Sequence, residues 1–461
     1  MKKHFRIDLE DTIAAISTPI GEGAIGIVRI SGRDAVKIAD IIFRTKKDKL
    51  PSSFRSFTTH YGYVYDEGKI VDEALLTLMR APKSYTKEDM VEISCHSGIV
   101  PLRKTLDSVL KNGARAAEPG EFTKRAFLNG RIDLAQAEAV LDIIRSKTDA
   151  SLKVAIGQLK GELSVCLNKI KEELLTSLAH IEASIDFPDE DLEIISETNI
   201  KNKLEIVRDE LSRLLESADA GIILREGIAC VICGKPNVGK SSLLNVLLKK
   251  DRAIVTHIPG TTRDTIEEFA NIDGIPFRLV DTAGIAPTED IIEREGILRS
   301  REYLERSDLV LLVIDGNDYI TDEDKMLLAD TSDRPRIVVI NKIDLPQVVD
   351  LNALGSTPLV RISAKYGDGI DELKKKMADI VWRGKVISSD GAVITNLRHK
   401  DALRCALKSV ASAIEAIEDD LSPELIAIEL KEALDSIGEI IGEIITDDLL
   451  DKIFSQFCIG K

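Results

Sequence analysis

Apolar positions follow different rhythms along this chain, and the changes of rhythm divide it. Up to about residue 125, short β-type runs (GIVRIS, YGYVY, ALLTLMR, VEISCH) alternate with helical stretches such as DAVKIADIIF and LRKTLDSVL, the pattern of an α+β domain. From Leu134 to about Ser184 the apolar residues Leu159, Leu163, Cys166, Leu167, Ile170, Leu174, Leu178 and Ile181 recur at helical spacing, which predicts long amphipathic helices. Pro188 and the acids around it interrupt the pattern, and a further helix is expected from about Asn199 to Ala218. Helical periodicity returns after about Val381 in HKDALRCALKSVASAIEAIEDDL, PELIAIELKEALDSIGEII and TDDLLDKIFSQF. Between the helical blocks, five apolar runs (IACVIC, PFRLVD, LVLLVID, RIVVIN, LVRISA) alternate with helices, as a doubly wound parallel sheet needs.

The expected class is multidomain, α+β and α/β. Residues 1–125 form an N-terminal α+β domain, 126–220 the first part of a helical domain, 221–380 an inserted nucleotide domain and 381–461 the second helical part. Each helical flank carries apolar stripes that need a partner, and an insertion is tolerated where its entry and exit lie close together. Two independent small bundles are the alternative.

Composition narrows the function without naming it. The chain has 461 residues and a net charge of −16, enough for about three domains. That charge argues against a broad nonspecific nucleic-acid coat, although a local basic patch on an acidic protein can still grip RNA. The apolar runs are short and broken by charge, so no membrane span is expected. Lys3 and Arg6 are not followed by a signal-type apolar region, and a cytoplasmic location is expected. The cysteines Cys95, Cys166, Cys230, Cys233, Cys405 and Cys458 are scattered as reduced thiols would be. Cys230 and Cys233 spell CxxC, but no second Cys or His pair stands at ligand spacing, so core packing is expected. Gly21, Gly23 and Gly26 spell G-x-G-x-x-G, yet strand-like IVRIS follows where a dinucleotide fold needs a helix. These glycines are expected to shape a turn that presents Arg29. The stretch EPGEFTKRAFLNGRIDLAQAEAV is too rich in charge and small residues to be core alone.

The chemistry centres on GKPNVGKS, Gly234 to Ser241, set between an apolar run and SLLNVLL. This phosphate-loop pattern turns backbone NH groups at a helix N-terminus toward one anion; Lys240 reaches the β and γ phosphates and Ser241 ligates Mg²⁺. Four further elements follow in the order of a Ras-like GTPase. GTTRD offers Thr262 to the Mg²⁺ shell, and LVDTAG offers Asp281 and the Gly284 NH. NKID offers Asn341 and Asp344, whose carboxylate accepts from guanine N1-H and the exocyclic amine, a pairing adenine lacks. RISAK brings Ser363, Ala364 and Lys365 to the guanine O6 side. Ile285 stands where Ras has its water-orienting glutamine, so another group must position water. Asn237 can ligate a monovalent cation beside the phosphates or make a loop-stabilising hydrogen bond.

Together these residues resemble the tRNA-modification GTPase MnmE (TrmE) family along essentially the whole chain, through GIVRISG, EPGEFTKRAFLNGRIDLAQAEAV, IEASIDFP, GKPNVGKSSLLN, VTHIPGTTRD, DTAG, NKID and FCIGK. The resemblance implies a K⁺-dependent GTPase that is a homodimer through a folate-binding N-terminal domain. It also implies a heterotetramer with the flavoprotein MnmG (GidA), which supplies FAD, and 5-formyl- or 5,10-methylene-tetrahydrofolate as one-carbon source. The implied product is an aminomethyl or carboxymethylaminomethyl group at C5 of the wobble uridine of certain tRNAs. The implied GTP site comprises Asn237, Val238, Gly239, Lys240, Ser241 and Ser242; Thr256, His257, Ile258, Pro259, Gly260, Thr261 and Thr262; Asp281, Thr282, Ala283 and Gly284; Asn341, Lys342, Ile343 and Asp344; and Ser363, Ala364 and Lys365. Carried over by position, Asn237, Thr256, Ile258 and Thr261 ligate K⁺, and Arg29, Glu92, Arg131 and Lys461 contact folate. Cys458 is a candidate for the modification chemistry, with simple packing as its alternative. Family members commonly carry a Glu three residues after the Gly of DTAG; here Pro287 stands there and Glu289 is the candidate for orienting water. A ribosome-assembly GTPase that binds RNA is a second reading, but it is expected to carry a KH-like module or basic tail, which the acidic helices after Val381 do not supply. A dimerising switch without chemistry of its own is a third.

Overall fold

Five of the expected N-terminal segments form where their periodicity puts them, and a sixth changes state within its length. In the computed structural model, which describes residues 11–187, 197–251, 268–281, 307–355, 357–382 and 391–461, the chain divides into two compact units. One holds the described residues up to Leu141 together with Gly438–Lys461; the other holds those from Asp142 to Ile437.

The first unit is built on β1 (Ile13–Ile16), β2 (Gly26–Ser31), β3 (Phe43–Thr45), β4 (Thr58–Asp66), β5 (Lys69–Met79), β6 (Met90–Cys95) and β7 (Arg115–Ala116). They form one sheet in the order β3-β4-β5-β6-β2-β1-β7, antiparallel except for β1 with β7. Alternate residues Val28 and Ile30, Leu76 and Leu78, and Val91 and Ile93 are buried in the core shared with α1 (Ala35–Ile42) and α2 (Ile99–Lys111), as a half-covered sheet requires. The DAVKIADIIF stretch leaves the helix at Phe43, which is extended at φ −128° and opens β3. The expected strand begins at Gly26 and carries Arg29. α3 (Glu121–Leu128) and α4 (Leu134–Arg145) follow, and residues 125 and 126 lie within α3. Ala126, Leu134, Ala137 and Leu141 pack with Leu450, Ile453 and Phe454, the last three from α13 (Asp447–Phe454).

The second unit joins helices from both sides of a nucleotide module. α5 (Asp149–Leu159), α6 (Glu162–Asp186) and α7 (Glu197–Glu226) precede it; α11 (Leu397–Glu418) and α12 (Pro423–Ile441) follow. α7 packs along α11, so the two flanks meet in one body from Asp142 on and up to Ile437, whereas residues 126–141 and 438–461, expected in the same helical domain, belong to the first unit. α7 runs past the expected end at Ala218 because Ile223 leans on the core of the nucleotide module. The module contains β8 (Ile228–Cys233), α8 (Lys240–Asp251), β9 (Glu268–Ile272), β10 (Ile275–Asp281), β11 (Leu309–Asp315), α9 (Asp322–Asp330), β12 (Arg336–Asn341), β13 (Leu359–Arg361) and α10 (Ile370–Trp382). Its sheet order is β13-β12-β11-β8-β10-β9, parallel except for the edge pair β9 and β10. Apolar clusters cover both faces, which is why these strands read as unbroken apolar runs. Cys230 belongs to one face and Cys233 to the other. Burial pushes the Cys230 thiol up, and the Cys233 thiol up to about 12, so both are packing groups. The exit strap returns to the helices: Gln158 Nε2 donates to Val393 O at 2.9 Å and to Thr395 Oγ1 at 3.0 Å.

Candidate functional site

The phosphate loop occupies the six residues between β8 and α8, at the carboxyl end of a central parallel strand, where an open α/β sheet binds its ligand. Gly234, Asn237 and Gly239 have φ of 145°, 65° and 99°, so the backbone turns through conformations that glycine and asparagine tolerate. A Cβ on Gly239 would lie 2.2 Å from Asn341 Nδ2, which leaves only glycine there. Lys240 is buried, and its amine donates to the carbonyls of Gly234 and Lys235, each at 2.7 Å. Val238 is buried, while Asn237, Ser241 and Ser242 are exposed.

Asn341 fastens three parts of the site together. Its Nδ2 donates to Val238 O at 2.8 Å and its Oδ1 accepts from the Ala364 NH at 2.9 Å. The phosphate loop and the loops after β12 and β13 therefore share one buried amide. Ser363 Oγ donates to Asp344 Oδ1 at 2.6 Å, orienting that exposed carboxylate. Lys342, with φ of 65°, extends its amine to Asp315 Oδ2 at 2.6 Å. The Ile343 NH donates to Ile362 O at 3.2 Å, and the Lys365 amine lies 4.9 Å from the centre of the Tyr366 ring. Asp281 is the last residue of β10. Thr256, His257, Ile258, Pro259, Gly260, Thr261, Thr262, Thr282, Ala283, Gly284 and Glu289 lie outside the described residues. Of the expected K⁺ ligands Asn237 is described, and of the Mg²⁺ ligands Ser241.

The first unit holds a second cluster. Arg29 Nε donates to Glu92 Oε1 at 2.9 Å, and its Nη1 donates to Gly460 O at 3.0 Å. Residues 458–461 are docked there by the backbone: the Phe122 NH donates to Lys461 O at 3.2 Å, and Pro119 bridges Ile459. Burial, with the charge of Arg29 added, holds the Lys461 amine below the usual lysine range. Arg29 lies 5.7 Å from the Tyr85 ring centre and Arg131 lies 4.3 Å from it. All four expected folate residues thus meet in one neighbourhood, and Cys458 is exposed beside them. Sequence reasoning missed Tyr85 and Phe122. Tyr85 OH bonds Thr123 Oγ1 at 2.9 Å, and the Phe122 ring centre is 5.5 Å from Arg29. The signal available was an aromatic set among charges in SYTKED and EFTKR.

Comparison with known proteins covers both units. The family described as "GTP-binding protein TrmE N-terminus" matches residues 12–131, and the "MnmE helical domain" family matches residues 134–458. The tRNA modification GTPase MnmE of Carboxydothermus hydrogenoformans is 51% identical over 461 residues, covering 98% of this chain and 100% of that protein. Its namesake from Geobacillus thermodenitrificans is 49% identical over 458 residues, covering 98% and 99%. Among solved structures, the G domain of the T. maritima FeoB iron transporter is 29% identical, with a TM-score of 0.26, over 33% of this chain and 96% of that one. Aquifex aeolicus Era bound to GDP and aluminium fluoride is 28% identical, with a TM-score of 0.26, over 39% and 65%.

Proposed function

The chain belongs to the MnmE family of tRNA modification GTPases, and we propose that it couples potassium-dependent GTP hydrolysis to one-carbon chemistry on tRNA. The proposed assembly is a cytoplasmic homodimer joined by a flavoprotein of the MnmG (GidA) kind, which brings FAD. A reduced folate, 5-formyl- or 5,10-methylene-tetrahydrofolate, supplies the carbon that becomes an aminomethyl or carboxymethylaminomethyl group at C5 of the wobble uridine.

The observation that carries this reading is the cluster of Arg29, Glu92, Arg131 and Lys461, which a bare G-domain switch has no use for. The cations of Arg29, Arg131 and Lys461 suit the carboxylates of a folate tail, and Glu92 suits amino-group donors on its ring. At the nucleotide site the residues fit GTP. Asp344 is pre-oriented by Ser363, and Lys240 exchanges its two carbonyl acceptors for phosphate oxygens. Ser241 and Thr262 are the proposed Mg²⁺ ligands, and Glu289 is the proposed water-orienting group. Potassium beside Asn237, with Thr256, Ile258 and Thr261, would supply the positive charge that an arginine finger supplies elsewhere. Asn237 is the described part of that set, and its exposed amide on a left-handed backbone fits the role.

Two measurements on the purified protein test the proposal. Hydrolysis should run several-fold faster in K⁺ than in Na⁺ at equal ionic strength; equal rates would make Asn237 a turn residue only. Reduced folate should bind saturably and be lost in Arg29→Ala, and absence of binding to the parent would remove the one-carbon assignment.

A further inference from the structure

The net charge of the protein is −16, yet one short connection reverses that sign: residues 44–55 carry Arg44, Lys46, Lys47, Lys49 and Arg55 against the single acid Asp48. The connection joins β3 to β4 at the edge of the first unit's sheet, where β3 has β4 as its neighbour. Lys46, Lys47, Lys49 and Arg55 are exposed. Asp48 is engaged by Arg44 at 3.7 Å, and among the described residues no ion pair holds Lys47, Lys49 or Arg55.

The connection is pinned in place. Phe54 is buried and stacks on His60 with ring centres 3.6 Å apart. The Lys49 NH donates to Thr45 Oγ1 at 2.9 Å, and the Ser52 NH donates to Asp40 Oδ1 at 2.7 Å. Cations on such a scaffold lose little conformational freedom when a partner arrives. Two aromatic rings stand among them. The Lys46 amine lies 4.8 Å from the ring centre of Tyr61, which is 38% exposed. Phe57 is 63% exposed and has φ of 60°, and its NH is held by Leu78 O at 2.7 Å. A bulky residue is an outlier in this backbone region, and so exposed a ring gains little by burial to offset the strain.

We propose that the β3–β4 connection is a surface on which the protein holds its RNA substrate, with Lys47, Lys49 and Arg55 on phosphates and Phe57 stacked on an unpaired base. Exposed, unpaired cations gain most from phosphate because counterions leave the RNA, and a rigid exposed ring suits a base that has left its helix. The inference rests on tRNA being the substrate, as proposed above. None of these residues belongs to the GTP site or to the Arg29 cluster.

The test is binding of labelled, unmodified tRNA to the full chain across a salt series. The combined variant Lys47→Gln, Lys49→Gln, Arg55→Gln should bind about tenfold or more weakly at low salt and lower the slope of log affinity against log salt by about two to three. Phe57→Asn, which keeps a side chain suited to positive φ, should weaken binding several-fold with the slope unchanged. Basal GTP hydrolysis should equal the parent's in both, which reports intact folding. Parent-like tRNA affinity and slope in the combined variant would overturn the proposal, even if binding of a protein partner fell instead. A parent protein that binds no tRNA at any salt would overturn both this surface and the substrate reading beneath it.

Discussion

Arg125 heads the fully buried side chains by volume among the described residues, and it sits in α3 among carboxylates. Its guanidinium bonds Asp11, lies 3.1 Å from Glu88 and lies 3.6 Å from Glu121. Arg115 adds bonds of 2.6 and 3.1 Å to Glu121 and one of 2.7 Å to Asp11. Removing one partner from such a network strands the rest in low dielectric. Arg125→Met is therefore expected to cost about 3–5 kcal/mol, read as a lowered unfolding transition of the N-terminal unit; an unshifted transition would refute it. At Asp11 burial pulls the pKa up, but the hydrogen bonds and charges of Arg115 and Arg125 outweigh it and hold the carboxyl below its ordinary 3.8. A carboxylate held down in the folded state stabilises it above the ordinary value, and that stability is lost as pH falls through the lowered one. Asp11→Asn should accordingly flatten the acid loss of stability below about pH 4; an unchanged acid limb would count against this account. In the sequence EPGEFTKRAF was legible as more than core, but not that its arginine lies inside. A buried arginine has no periodicity to reveal it, and its partners Asp11 and Glu88 stand 114 and 37 residues away.

The phosphate loop and α9 are coupled through one carboxylate. Asp324, 1% exposed, accepts from the Thr321 NH and from Thr321 Oγ1, both at 2.9 Å, closing the N-terminal cap of α9. The same oxygen receives Lys235 Nζ at 2.8 Å, and the Lys235 carbonyl accepts from Lys240. A helix cap therefore anchors the residue whose carbonyl holds the Lys240 amine. Lys235→Met is expected to release the loop and speed GDP dissociation about 5–30-fold, the equivalent of one or two kcal/mol, with Lys235→Arg restoring the parent rate. Stopped-flow displacement of a fluorescent GDP measures this, and equal rates in Met and Arg variants would leave the pair a structural contact. The strands around this loop were legible because parallel strands buried on both faces read as apolar runs. Lys235 was not, because the motif leaves its position open and the partner comes from a helix cap 89 residues later.

At the scale of the molecule, the change from period two to helical spacing and back to apolar runs was enough to separate an α+β start, helical flanks and an inserted parallel sheet. What periodicity did not carry is which partner a stripe chooses. Leu450, Ile453 and Phe454 read as one more amphipathic helix, yet they pack on Ala126, Leu134 and Ala137, and Gly438–Lys461 clusters with the first 141 residues. The loops at Gly234–Gly239, Asn341–Asp344 and Ser363–Lys365 were legible because they have fixed residue types, whereas Tyr85 and Phe122 meet the arginines through ring faces that no motif records. A chain ending at Phe457 should bind GTP as the parent does and lose reduced-folate binding, since Gly460 and Lys461 go with the missing segment; retained folate binding would dissociate that segment from the cluster. The docking of Cys458–Lys461 beside Arg29 also has a consequence in time. During synthesis on the ribosome the nucleotide module, whose last helix ends at Trp382, can close about eighty residues before the strand that carries Arg29 meets its last neighbours. A nascent or prematurely stopped chain would therefore be able to take up guanine nucleotide while still lacking the other half of its chemistry.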